Sequence, residues 1–216
     1  MHFLDRRDAG ERLARALLGR IDTNERAVVV ALPRGGVAVG APIARHLQLP
    51  LRVMLVRKVG MPGNPEAAVC AVAENGIVVC DEDARERVPP EWLENAVELS
   101  QHEIEERTRR FQPWMLSEDA SRQTAIVVDD GAATGLTILA AIAALREKGA
   151  KRVVVGLPVA PLEVGHLLRQ QADEVIIFHE DTNFMGAVGA YYEHFNQLSD
   201  EETLALLESA NTRTLS

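Results

Sequence analysis

The sequence predicts an α/β fold, a central mostly parallel sheet flanked by helices. Three observations carry that expectation. Val-rich, near-continuous apolar runs recur at 27–32 (AVVVAL), 124–130 (TAIVVDD) and 152–160 (RVVVGLPVA). Strands that read this way are buried on both faces, as in a parallel sheet. The runs at 27–32 and 124–130 are followed by stretches with apolar residues at helical spacing. The alternation of strand and helix continues to the end of the chain, with no repeat of solenoid period.

The chain has 216 residues, of which 47% are hydrophobic and 25% charged. This is one domain, long enough to bury roughly 70% of the surface its unfolded form exposes. Whole-chain disorder, collagen and coiled coil are excluded. The net charge of −9 argues against a duplex nucleic acid partner, because neutralising phosphates needs a basic face. The N-terminal stretch is charged throughout and lacks the apolar core of a signal peptide. No apolar run approaches the roughly 20 residues that span a bilayer. A cytoplasmic protein without a membrane partner is expected. Cys70 and Cys80 do not have the spacing of a metal or redox pair, and two buried thiols are expected.

Taken in order, a helix is predicted from about Asp8, its N-cap, to Arg20. The strand at 27–32 ends in Pro33-Arg34-Gly35-Gly36, followed by a helix over 37–47. A second strand, 51–58, ends on Arg57 and Lys58. Gly60 to Glu74 opens with loop chemistry. Asn75-Gly76 between Val-rich runs suggests a type I′ hairpin turn. Pro89-Pro90 leads into a charged surface helix over 91–111. The second half gives strand 124–130, helix 136–148 with Gly149 at C′, strand 152–160, helix 162–170 and strand 174–178. A last helix over 200–208 has Ser199 as cap and Glu202 completing a capping box.

In open parallel sheets, ligands bind at the carboxyl ends of the strands. The most informative strand end is Asp129-Asp130 followed by Gly131-Ala132-Ala133-Thr134-Gly135-Leu136-Thr137. Two carboxylates end a buried strand, and a loop of small residues runs into a helix start. Small side chains let backbone N–H groups approach an anion, and the helix start adds partial positive charge. The loop suits a phosphate, and the carboxylates suit vicinal sugar hydroxyls. A plain strand–turn–helix with Asp130 as cap is the structural alternative. There is no Walker Lys and no GxGxxG.

This stretch resembles the phosphoribosyl diphosphate (PRPP) signature of the type I phosphoribosyltransferases, and the resemblance extends from Ala27 to about Phe195. It implies that Asp129 and Asp130 hold the ribose hydroxyls and that 131–137 wraps the 5′-phosphate. Arg34, Gly35 and Gly36 resemble the family's pyrophosphate loop, which implies a cis bond between Pro33 and Arg34. A turn with a solvated Arg34 is the alternative. Arg57 and Lys58 resemble the Arg-Lys pair that precedes the family's mobile catalytic loop, here 60–74. Their alternative is an exposed edge with snorkelling side chains. Phe184 and Val188 resemble the aromatic and Val-Gly residues that lie against the base, with core packing as the alternative. His179 and His194 read as ordinary.

The resemblance implies a small hood formed by the N-terminal segment and about 180–200, a core over about 24–180 and a helical insertion over about 82–120. It implies transfer of a phosphoribosyl group to a nitrogen acceptor, a nucleobase being the first choice, with Lys58, Asp129 and Asp130 as catalytic residues. Mg²⁺ is implied, with Asp129 and Asp130 as candidate ligands. A homodimer is compatible with the sequence. One departure stands out. Purine-salvage members place an aspartate where this chain has Ala133, so the acceptor stays open. A PRPP- or nucleotide-binding regulator without turnover is the second reading. A phosphohydrolase using Asp129 is the third, and it lacks the expected Lys and second acidic cluster.

Overall fold

The computed structural model describes residues 2–21, 26–118 and 122–212. The expected core start near residue 24 and the end of the insertion near 120 lie outside these. The elements are α1 (Arg6–Leu17), β1 (Ala27–Ala31), α2 (Gly35–Leu47), β2 (Leu51–Val53), β3 (Val56–Met61), β4 (Asn64–Ala73), β5 (Val78–Cys80), α3 (Glu82–Arg85), α4 (Pro90–Phe111), β6 (Thr124–Val128), α5 (Leu136–Glu147), β7 (Arg152–Pro161), α6 (Leu162–Arg169), β8 (Glu174–Asp181) and α7 (Asp200–Thr212).

A five-stranded sheet has the order β2-β1-β6-β7-β8, every neighbour parallel. The Val-rich runs at 27–31 and 124–128 occupy its middle and are buried along their whole length. Each such side chain contributes roughly 1.5–3 kcal/mol of burial. Alternate residues feed opposite faces. Val29 and Ala31 join a cluster with Leu13 of α1, Ile43 of α2 and Leu207 of α7. Val28 and Val30 join one with Ile138 and Leu145 of α5. Helices therefore cover both faces of the sheet.

From β1 the chain proceeds outward to β2, and from β6 outward the other way to β7 and β8. The strand order reverses between β1 and β6, whose ends are in register at Ala31 and Val128. The loops after these two strands part to opposite faces and leave a crevice between them.

Several expectations need correction. The predicted strand 51–58 is two strands. It breaks at Met54-Leu55, both buried, and β3 leaves the parallel sheet. The stretch 60–74 is mostly ladder, because β3 and β4 form a hairpin turned at Pro62-Gly63. With β5 they make a separate antiparallel sheet. The next turn is not type I′, since Gly76 has positive φ and Asn75 does not. Bonds from Ala73 N to Ile77 O and Gly76 N to Ala73 O close a three-residue loop instead. That loop sets Cys70 directly opposite Cys80, and the two form a disulfide in place of the expected thiols.

α1 starts earlier than predicted. Its cap is Asp5, whose carboxylate accepts from Asp8 N at 2.8 Å. The capping box at α7 forms as read, with Ser199 N donating to Glu202 Oε2 at 2.7 Å and Glu202 N to Ser199 Oγ at 3.1 Å. α4 has Pro90 at its first turn. Among the described residues, no helix is long and apolar enough to cross a membrane.

The N-terminal segment folds back over the carboxyl edge of the sheet. Phe3 bridges to Tyr192 and donates its N–H to Tyr191 O at 2.8 Å. Phe3, Val159, Tyr191 and Tyr192 form an apolar cluster, with Phe178, Phe184 and Phe195 packed against it. This cluster fixes where α1 begins, and so places Arg6 at the crevice.

Candidate active site

The crevice is floored by Asp129 and Asp130. Each leaves β6 beside the residues that leave β1, with Leu32 N donating to Val128 O at 3.0 Å. The Pro33–Arg34 bond is cis, and α2 begins immediately afterwards at Gly35. A Cβ on Gly35 would collide with Asp130 Oδ2 and come within 3.1 Å of Arg6 Nε. One on Gly36 would lie 2.7 Å from Val128 O and 3.2 Å from Asp129 Oδ1. The two glycines thus let the acidic pair and the turn after β1 share one small volume.

Arg6 completes this volume. Its Nε donates to Asp130 Oδ2 at 2.7 Å, with the two side chains 12% and 17% exposed. Its Nη1 donates to Asn196 O at 2.8 Å, and its guanidinium lies 3.7 Å above the Phe195 ring. Tyr192 donates its hydroxyl to Asp130 O at 2.5 Å. Asp129 Oδ1 accepts from Asp130 N at 2.9 Å.

Burial raises the Asp129 carboxyl well above the usual carboxylate range, and the neighbouring Asp130 raises it further. Hydrogen bonds from the Asp130 and Gly36 N–H groups and the charge of Arg6 oppose this. Burial also raises Asp130, against the charge and hydrogen bond of Arg6. The Tyr192 phenol is raised by burial and by both carboxylates.

A cavity of about 470 Å³ opens from Asp130 along the loop 131–137. Lys58, Arg6, Val188 and Phe195 also line it. Gly131 has φ 155°, and a Cβ there would sit 2.6 Å from Val188 Cγ1. Ala132 N is tied to Val159 O at 3.0 Å. The N–H groups of Ala133, Thr134 and Gly135 find no acceptor among the described residues. They precede the first turn of α5, whose own N–H groups have no intrahelical partner. Ala133 and Thr134 are exposed at the mouth, while Leu136 is buried. The arrangement can hold an anion at the loop and hydrogen-bond donors at the carboxylates.

The structure brings Lys58, Asp130, the whole 131–137 loop and Val188 together at this cavity, while Asp129 stands behind Asp130 against Gly36 and does not line it. It sets Arg57 apart. Successive residues of β3 point to opposite sides, and Arg57 pairs with Glu103 of α4. Its Nε is buried without a hydrogen-bond partner. Arg34 is half-buried beside the crevice. Phe184 stacks on Tyr191 with centroids 5.3 Å apart, in the aromatic cluster. His179 lies 3.7 Å from Asp181.

Arg6, Tyr192 and Phe195 were not among the sequence candidates. A cation at a helix start, where the helix dipole disfavours it, does not single out Arg6, because Arg7 shares that position.

The phosphoribosyl transferase domain family matches residues 3–192 of the chain. Curated Mycobacterium tuberculosis proteins from strains CDC 1551 and H37Rv, both carrying a phosphoribosyl transferase name, are each 38% identical over 211 residues. The match covers 97% of this chain and 47% of each of theirs. The chain therefore spans about half the length of the curated relatives it matches. The crystal structure of TT1426 from Thermus thermophilus is 40% identical, with a TM-score of 0.76 over 97% of this chain and 99% of that one. The chain belongs to the phosphoribosyl transferase family.

Proposed function

We propose that the chain transfers the phosphoribosyl group of PRPP to a nitrogen acceptor and releases pyrophosphate. The observation that carries this is the acidic pair Asp129-Asp130 running directly into an anion-ready loop at the head of α5. In this reading the loop 131–137 holds the 5′-phosphate through backbone N–H groups. Thr134 and Thr137 add hydroxyl donors. Asp129 and Asp130 accept from the ribose 2′- and 3′-hydroxyls, with Arg6 giving up part of its hold on Asp130. The bond between the anomeric carbon and the diphosphate oxygen breaks as the acceptor nitrogen bonds to that carbon. Lys58, at the cavity wall, and Arg34, Gly35 and Gly36, at the crevice, meet the charge that builds on the leaving diphosphate. Arg57 takes part only if it leaves Glu103. Val188 meets the acceptor; Phe184 supports it from behind through Tyr191.

The donor set suits Mg²⁺ in kind. There are two adjacent carboxylates, and no cluster of three or more His, Cys, Asp or Glu among the described residues. Magnesium binds through one or two carboxylates with phosphate oxygens and water rather than an all-protein cage. Asp129 and Asp130 would hold it, and it would supply charge neutralisation of the diphosphate.

Ala133 provides no general base, so the acceptor is one whose reacting nitrogen needs no enzyme carboxylate to deprotonate it. The same feature favours the second reading, a PRPP- or nucleotide-binding regulator. Isothermal titration with PRPP and Mg²⁺, followed by a panel of nucleobases and other nitrogen heterocycles watched for pyrophosphate, tests both. Acceptor-dependent pyrophosphate supports transfer. Tight binding with no release across the panel supports the regulator. No PRPP binding overturns transfer and a PRPP-binding regulator alike, and a nucleotide monophosphate titrated in the same way then decides whether the chain is a nucleotide-binding regulator. We place the protein in the cytoplasm, where PRPP is available.

A further inference from the structure

A second cavity, of about 310 Å³, lies behind Arg6 on the side of α2 away from the phosphate loop. Its floor is apolar. Ala41 and Pro42, on one face of α2, lie across from Leu206 of α7. Its rim carries three guanidinium groups, those of Arg6, Arg7 and Arg45, with the His194 imidazole beside them. The one rim carboxylate, Asp5, is already engaged in capping α1. Arg7 is held by Glu11 at 3.1 Å. Arg45 is half-buried and has no hydrogen bond or ion pair among the described residues. An apolar floor beside Arg45, the rim arginine without a partner among the described residues, matches an apolar ring bearing an anionic group. The volume lies at the lower end of small-molecule sites.

Arg6 is the wall between the two cavities. It lines both, donates to Asp130 on one side and to Asn196 O on the other. We propose that this second cavity is an effector site for an aromatic organic phosphate of nucleoside monophosphate size, and that its occupancy is transmitted to the ribose-binding pair through Arg6. The transmission half rests on the proposed function; the site itself does not. A phosphate drawing on the Arg6 guanidinium competes with Asp130 for it. Asp130 is then freer to accept a ribose hydroxyl. Linkage requires the reverse as well, so bound PRPP should tighten the effector.

The test uses AMP as probe on the full chain. AMP is titrated calorimetrically with the first cavity saturated by PRPP and Mg²⁺, and PRPP is titrated with and without AMP. The expected result is an AMP isotherm that persists under saturating PRPP, at least tenfold weaker in Arg45→Gln and in His194→Ala. Both variants keep the wild-type PRPP affinity in the absence of AMP. AMP should also tighten PRPP several-fold, and adenosine or inorganic phosphate alone should bind at least tenfold more weakly than AMP. Simple displacement of AMP by PRPP overturns the proposal, as does AMP binding indifferent to Arg45→Gln and His194→Ala. If PRPP itself does not bind, the proposed function falls. The cavity is then judged alone, by whether AMP binding depends on Arg45 and His194.

Discussion

The Arg6 guanidinium and the Asp130 carboxylate, 124 positions apart in the chain, meet at 2.7 Å where two buried strands end. Asp130 has Asp129 as its neighbour, and the pair sits where water cannot fully solvate two negative charges. Arg6 is the cation that offsets them. Removing one partner of a largely buried pair leaves the other uncompensated.

Arg6→Gln should therefore destabilise the fold by about 2 kcal/mol, within the 1.5–3 kcal/mol range for hydrogen bonds to charged groups. In an Asp130→Asn background the same change should cost far less, because the charge it served is gone. Urea unfolding of the two single variants and the double variant gives the coupling directly. Equal costs in both backgrounds would mean that Arg6 acts through Phe195 and Asn196 instead.

Asp129 behaves in the opposite sense. Its carboxyl is raised by burial and by Asp130, so the charged form is disfavoured in the folded chain. Asp129→Asn keeps an oxygen to accept from the Asp130 N–H and removes the repulsion. Its melting temperature at pH 7 should rise by ~2–4 °C, the shift about 1 kcal/mol produces at this chain length. PRPP binding should weaken by roughly 10- to 100-fold, the equivalent of one charge-assisted hydrogen bond. A variant that is more stable yet unable to bind PRPP would identify the pair as a site held against the fold's own preference. Unchanged PRPP affinity would remove the ribose role.

What was legible in the sequence follows from how local each signal is. The central strands declare themselves because a strand buried on both faces must be apolar at every position, as 27–31 and 124–128 are. The acidic pair and its loop are contiguous, so one short stretch carries the chemistry. The break at Met54-Leu55 was not legible, because both residues are as apolar as the strands they separate. The hairpin at 60–73 is hidden behind Gly and Pro, whose loop signal outweighs the Ala- and Val-bearing half. The Cys70–Cys80 bond had a signal that could have been used, since both cysteines lie five residues from Asn75, the middle of the turn. Arg6 is legible only through tertiary structure. Nothing around it distinguishes it from Arg7, which lies on the helix surface 72% exposed.

Gly131 links the phosphate loop to the segment over it. Its φ of 155° and the 2.6 Å approach of Val188 Cγ1 to a would-be Cβ make Gly131→Ala doubly unfavourable. Overpacking of this kind costs roughly 1–3 kcal/mol. Val188→Ala in the same chain should recover the steric part and leave the backbone part. Thermal unfolding of the single and double variants separates the two. No recovery would mean that backbone conformation alone fixes Gly131.

Asp173 gives a pH-dependent prediction away from the cavity. It sits at the entry to β8, where its carboxylate accepts from Val153 N at 2.6 Å and from Arg146 Nη2 at 2.7 Å. Slight burial pushes its carboxyl up, but these hydrogen bonds and the charges of Arg146 and Arg152 outweigh that and hold it below the usual range. A carboxylate depressed in the folded state adds stability above its unfolded pKa of about 3.9, and loses it as pH falls through the lower folded value. Asp173→Asn should thus be less stable than wild type at pH 7, and the difference should close as the pH falls below about 4. The side chain is 40% exposed, so solvent screening keeps the effect small. Because Asn still accepts from Val153 N, the variant isolates the charge. Urea midpoints for both proteins across this range check it, and a gap that stays constant with pH would assign the loss to altered hydrogen bonding at the β7–β8 junction instead of to the carboxylate's charge.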